Sequence, residues 1–242
     1  MPKLRLRNYL LQALPSPPLS VDYNTPASAA FMADILGNDV SGDCTCAAVY
    51  HIIGAILAAS GSPIPYTATD CVNFYKMLSG WNGIEDDPSD TGLNVETVLA
   101  YWKTYGLLPD NDKCYGYMAI DATNKIEVMT SIWLFENVDF GVDLADAWLN
   151  PSGSGFVWDV AGKPDPENGH SFMSAKYDTV SGVNIDTWGL NGYMTWPAVA
   201  KYASNTGELY TILTPDSINR ATAKAPNGLN WTQLVSDFES LS

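Results

Sequence analysis

The stretch from Cys44 to about Ser60 constrains this chain more than any other. It runs through Ala47, Ala48, Val49, Ile52, Ile53, Ala55, Ile56, Leu57, Ala58 and Ala59 before Gly61 and Pro63 stop it. Its length and alanine content favour a helix over a strand. A helix that is apolar on nearly every side has no face to offer water, so the rest of the chain must wrap around it. The 242 residues are enough for that: 46% are apolar and 16% charged, the balance of a compact globular protein.

The remaining organisation follows from caps, breakers and periodicity. Prolines keep residues 14–24 extended. A short helix is expected over Ala27–Leu36, others over Thr67–Ser79 and Asn94–Tyr105, each opening on a capping residue, and another over Thr123–Phe135. Strand-like texture marks Tyr115–Ile120, Val138–Leu144, Ser171–Tyr177, Val183–Thr187 and Glu208–Leu213, with a short helix near Pro197–Tyr202. The expectation is an α+β unit without internal repeats. A helical lobe would span about 14–110 and a β-rich lobe about 111–215, with 216–242 as a C-terminal segment and a cleft between the lobes.

Charge and cysteine usage remove several function classes. A net charge of −15 argues against nucleic acid or an anionic membrane surface as partner, and favours a neutral or cationic substrate. No apolar run approaches the roughly 20 residues of a membrane span. Met1 to Arg7 is basic, but Tyr9–Leu14 is too short for a secretory core, so a cytoplasmic location is the default. Those first residues are expected to form a solvated tail, with residues 1–13 as an alternative cap over some other surface. Cys44, Cys46, Cys71 and Cys114 lack paired Cys-x-x-Cys knuckles, so neither a zinc site nor a disulfide scaffold is expected. The acidic run Glu85–Asp90 lacks an EF-hand spacing and reads as a solvated loop.

Only two histidines occur, which narrows the chemistry. His51 lies on the buried helix and reads as a satisfied core residue. His170 follows a polar loop and heads a strand, where a base can be presented at a cleft edge. Cys44 falls in the first turn of the buried helix, where free N–H groups and the helix dipole favour a thiolate. Cys46 is about 200° around that helix, so the two thiols cannot both face one cleft; the preceding Asp43 and the offset to Asn38 favour Cys44, with Cys46 as the alternative nucleophile. Asp186 ends an apolar strand beside Trp188. A thiol, an imidazole and a carboxylate are the parts of a nucleophilic cysteine site.

The order of these segments resembles the papain-like cysteine peptidase superfamily over about residues 14–213. The resemblance rests on Leu14-Pro15 with Val21-Asp22-Tyr23, on Gly42-Asp43-Cys44 entering the buried helix, and on Thr91-Gly92-Leu93-Asn94. It continues with Asn168-Gly169-His170, Asp186-Thr187-Trp188-Gly189 and Gly192-Tyr193. The Cys-Trp-Ala-Phe signature is absent, and Asp186 stands where papain-type enzymes carry Asn, as in leader-peptide peptidases and transglutaminase-type enzymes. The resemblance implies Cys44 as nucleophile, His170 as base and Asp186 as its orienting partner. It also implies Asn38 and the Cys44 backbone N–H as oxyanion donors, with Gly92, Leu93 and Trp188 against the substrate. The implied activity is cysteine-dependent peptide hydrolysis with no metal or cofactor, on a peptide or protein substrate. Transamidation or acyl transfer is an alternative, and so is a non-catalytic binding or structural role. A Cys–His ion pair would make the thiol reactive near pH 6.

Overall fold

The computed structural model describes residues 4–205 and 207–240. Ser20–Asp22 (β1) and Pro26–Met32 (α1) lead into Cys44–Ala59 (α2), followed by Ala68–Ser79 (α3) and Val95–Tyr105 (α4). The long apolar stretch is α2, and Cys46, Val49, Tyr50, Ile52, Ala55 and Ile56 along it are all but inaccessible to solvent. Burying each larger aliphatic side chain contributes roughly 1.5–3 kcal/mol, so α2 is stabilised by packing on several sides. Its neighbours are fixed by caps: α3 opens on a reciprocal Thr67–Asp70 capping box, and α4 on Asn94, whose side chain accepts from the Glu96 N–H.

The second half supplies Gly116–Ala119 (β2), Lys125–Phe135 (α5), Val138–Asp143 (β3), Val157–Trp158 (β4), Gly169–Ser174 (β5), Lys176–Asp178 (β6), Gly182–Thr187 (β7) and Leu190–Met194 (β8). Trp196–Asn205 (α6), Glu208–Leu213 (β9), Pro215–Lys224 (α7) and Trp231–Ser240 (α8) complete it. The strands form one sheet in the order β1-β6-β7-β5-β3-β9-β2, with β8 on β7 and β4 on β8; of these strand pairs β4–β8 is parallel and the others antiparallel. The expected strand over Ser171–Tyr177 is broken at Ala175 into β5 and β6.

Alternation along β5 and β7 divides the core. Met173 and Ala175 point into the cluster built on α2, α3 and α4. Phe172, Val183 and Ile185 face the opposite cluster with Phe140, Trp158 and Tyr202, where Phe172 and Phe140 stack at 5.0 Å.

A third cluster joins Leu6, Tyr9, Met118, Leu134, Phe135, Ala221, Leu234 and Phe238. The solvated tail expected at the start is therefore corrected from residue 4 onward. Leu6 and Tyr9 are buried against α7 and α8, away from the cleft, because apolar side chains alternate with Arg5 and Arg7. Residues 1–3 lie outside the described residues. Helix α7 is locked to α5 by Glu136, a left-handed cap with φ 69° and 1% side-chain exposure. It accepts from Arg220 at 2.5 Å and from Lys224 at 2.8 Å.

Candidate active site

Cys44 is the first residue of α2 and is partly exposed, whereas Cys46 is fully buried in the core, as are Cys71 and Cys114 nearly so. His170 is the second residue of β5, 9% exposed. Both line one open cleft of about 500 Å³ together with Gly92, Leu93, Asn94, Val95, Gly141, Asp143 and Glu208. The thiol lies against the backbone N–H groups of Ser171 and Thr45, which places it beside the strand that carries His170. Gly42 and the following turn are pinned by Asp90, whose carboxylate accepts from the Gly42 N–H at 2.9 Å and from the Tyr75 hydroxyl. The acidic loop is thus partly structural at Asp90.

The imidazole is held from two sides. Nε2 meets the Thr187 hydroxyl at 2.6 Å, and the ring stacks on Trp188 at 4.4 Å with an interplanar angle of 25°. Trp188 and Gly189 form the two-residue turn between β7 and β8, with φ 51° and φ 68°. Positive φ at both centres is the mark of a tight hairpin turn, and it is unusual for tryptophan. The geometry lays the indole on His170.

Asp186 does not reach that ring. Its carboxylate accepts from Asn24 Nδ2 at 3.0 Å and from Asn191 Nδ2 at 2.5 Å. The expected contact between His170 and Asp186 is not made, and the imidazole meets Thr187 instead. The reason is the two-residue period of a strand: neighbours 186 and 187 point to opposite faces, and Thr187 shares the face of Ile185 and Phe172 with His170. Thr187 is the His170 partner that sequence reasoning missed. The alternation of apolar Val183 and Ile185 was the available signal, since it puts 187, not 186, on their face.

Asn38 is also placed differently from expectation. It donates to the Ser41 carbonyl at 3.2 Å and to the Asp43 carboxyl, and it borders a narrow crevice behind Cys44 rather than the main cleft. Asp43, completely buried, draws it in. Trp188 borders the same crevice, so among the expected substrate contacts Gly92 and Leu93 line the cleft and Trp188 lies behind it. His51 is a core residue, its Nε2 3.0 Å from the Asp34 carbonyl and its ring edge-on to Phe31.

Burial disfavours charge on both groups. Burial raises the Cys44 thiol to about 11, partly offset by the Ser171 N–H and reinforced by the Asp43 and Asp139 carboxyls. Burial lowers the His170 imidazole to about 3. Both directions oppose a resting thiolate–imidazolium pair, because burial penalises each charge and Thr187 offers the imidazole a neutral hydroxyl where a carboxylate would stabilise imidazolium. The nearby carboxyls Asp43 and Asp139 act on the thiol instead, and burial holds each of them up to about 7.

No family model matches the chain, and no curated sequence does. Solved structures do match. Xylellain, a cysteine protease from Xylella fastidiosa, superposes with a TM-score of 0.62 at 14% identity, covering 88% of this chain and 91% of its own. The chain has the papain-like fold. The structure described for the mite allergens Blo t 1 and Der p 1 matches with TM-score 0.61 at 16% identity, covering 88% of this chain and 75% of the other. The Carica candamarcensis cysteine protease CMS1MS2, solved with E-64, gives 0.55 at 13% identity, with 81% and 99% covered. At these identities the papain-like likeness is one of fold, and the activity must be argued from the cleft.

Proposed function

We propose that this papain-like chain is a cysteine-nucleophile hydrolase of peptide bonds, with Cys44 as nucleophile, His170 as base and Thr187 as the residue that positions the imidazole. The observation that carries this reading is the convergence of Cys44 and a doubly held His170 on one cleft. With Nε2–H donating to the Thr187 hydroxyl, Nδ1 keeps its lone pair and accepts the Cys44 proton as sulfur attacks the scissile carbonyl carbon. The imidazolium then returns that proton to the departing amine, leaving a thioester on Cys44. His170 next deprotonates a water that attacks the thioester, releasing the acid and restoring the thiol. An amine in place of that water would make the same site a transamidase.

Burial opposes a standing thiolate, so proton transfer belongs to the chemical step, and the reading predicts a slow enzyme whose thiol ionises as the substrate engages. The Cys44 backbone N–H, in the first turn of α2, is the donor left to face a developing oxyanion, with Asn38 committed to Asp43 and Ser41. The second reading is a binding protein without turnover, and the burial that pushes the Cys44 thiol up favours it. A mixed-sequence peptide library, incubated with wild type, Cys44→Ala and His170→Ala and analysed by mass spectrometry, separates the two. Cleavage present in wild type and lost in both variants supports hydrolysis; an untouched library, with peptides retained on the protein, favours binding.

A further inference from the structure

The second cavity of interest lies on the far face of the β7–β8 hairpin from His170. It holds about 300 Å³ and is lined by Asp22, Asn24, Lys176, Asn184, Asp186 and Asn191, with Ala29, Met32 and Ala33 of α1 as an apolar wall. Its floor is a closed network of three amides and one carboxylate. Asn24 Nδ2 donates to Asn184 Oδ1 at 2.7 Å and to Asp186 Oδ2 at 3.0 Å. Asn184 Nδ2 donates to Asn191 Oδ1 at 2.9 Å and to the Gly192 carbonyl at 2.6 Å. Asn191 Nδ2 donates to Asn184 Oδ1 at 3.1 Å and to Asp186 Oδ1 at 2.5 Å.

An amide nitrogen carries two N–H donors, so all three asparagines have spent theirs within this floor. Acceptor capacity is left over. Each Asp186 oxygen has taken one bond of the two it accommodates. Around the mouth, Asp22 pairs with Lys176 at 2.7 Å, and the Ser154 hydroxyl accepts from the Asn191 N–H at 3.3 Å. With Asp22 and Lys176 cancelling, Asp186 leaves the pocket with one net negative charge. A carboxylate or phosphate would meet a floor with no N–H to offer it. A ligand that brings donors and a positive charge meets free acceptors.

We propose that this cavity is a binding site for a primary ammonium group on a short aliphatic stem, the head held by the Asp186 carboxylate and the stem against Ala29, Met32 and Ala33. Such a head comes either from a lysine side chain or from a free alkylamine. The site stands apart from the cysteine cleft and does not depend on turnover there.

The test is a titration of the isotope-labelled full chain at pH 7.5, following the side-chain amide resonances of Asn24, Asn184 and Asn191. Probes are n-butylammonium chloride and a capped Gly-Lys-Gly peptide, with n-butanol as the uncharged control. Saturable shifts of those amides by either cationic probe, and none by butanol, are expected. Shifts by both assign a site open to free amines, and shifts by the peptide alone assign the lysine side chain as the source. Asp186→Asn should weaken binding about tenfold or more, because the charge-assisted bond is lost and a donor replaces an acceptor. Ala29→Trp, on the exposed wall and outside the network, should close the cavity and abolish the shifts even if Asp186→Asn does not fold. Equal response to butanol, no response to either cation, or full binding by Ala29→Trp overturns the proposal.

Discussion

Alkylation of Cys44 as a function of pH reads the resting electrostatics of the site directly. A thiol with a pKa of about 11 is ionised to roughly one part in ten thousand at pH 7, against about three parts in a hundred for an ordinary thiol near 8.5. That is about 300-fold less thiolate. Thiolates of higher pKa are intrinsically better nucleophiles, with a Brønsted slope of about 0.4–0.5, which returns a factor of roughly ten to fifteen. Iodoacetamide should therefore label Cys44 about 20- to 30-fold more slowly at pH 7 than a free cysteine does, before any shielding by the cleft walls. The rate should rise tenfold per pH unit through pH 8–10, without a plateau at lower pH. His170→Ala should change it little, because the neutral imidazole holds no charge to share. Asp43→Asn should speed it, since a neighbouring carboxylate that opposes the thiolate is gone. Quenched time points mapped by peptide mass spectrometry give the rates. A fast, pH-independent plateau between about pH 4 and 8 that collapses in His170→Ala would refute this electrostatic reasoning and restore an ion pair.

Further outcomes follow from the same contacts. Thr187→Val keeps the shape but leaves His170 Nε2 without its 2.6 Å partner, a loss of about 1–3 kcal/mol that should lower kcat/KM roughly ten- to a hundredfold in peptide hydrolysis, with KM little changed. Asp139 is fully buried and its folded-state pKa is raised from 3.8 to about 7, so the stability it contributes is complete below about 3.8 and is lost as pH rises through about 7. Asp139→Asn removes that dependence. Urea melts should then show the stability difference between the two proteins shifting in favour of the variant by up to roughly 4 kcal/mol from pH 4 to 7.5. Glu136→Gln leaves Arg220 and Lys224 facing a neutral amide and should cost about 3 kcal/mol, towards the lower end for a buried pair because both cations are 24% exposed, read as a lowered denaturation midpoint.

Much of the fold was legible because its local signals agree with its packing. The apolar stretch of α2, the capping residues Thr67 and Asn94, and the β-rich run Glu208–Leu213 each point to one structure only. Helices α7 and α8 were not foreseen within 216–242, although Thr214-Pro215 with Ser217 is a helix start: the Thr214 side chain accepts from the Ser217 N–H, and proline takes the first helical position. Few strongly apolar residues recur there, and what holds α7 in place is Arg220 on Glu136, a pairing 84 residues apart that no local window reveals. Strand β8 was missed for a similar reason, since Asn191 and Gly192 are poor strand formers that are stabilised by the pairing with β7.

The sequence placed Cys44 at the start of a helix and His170 at the head of a strand, and the fold brings both to one cleft. The contact of His170 with Thr187 was not foreseen, because a carboxylate next to a tryptophan carries more chemical expectation than a threonine. The strand's alternation decided for the threonine. Asn38 was read from its offset to Cys44, but offset cannot foresee that buried Asp43 would claim its N–H groups. The burial that opposes the ion pair is likewise a property of the packed lobes and not of any motif.

The most direct test of the central claim is capture of the acyl-enzyme. Wild-type protein mixed with activated peptide esters, quenched in acid within the first turnover and measured by intact mass, should carry one acyl group that peptide mapping assigns to Cys44. Cys44→Ala should carry none, and His170→Ala should acylate far more slowly. Acylation of another residue, or none at all with the esters intact, would contradict a cysteine nucleophile at this site.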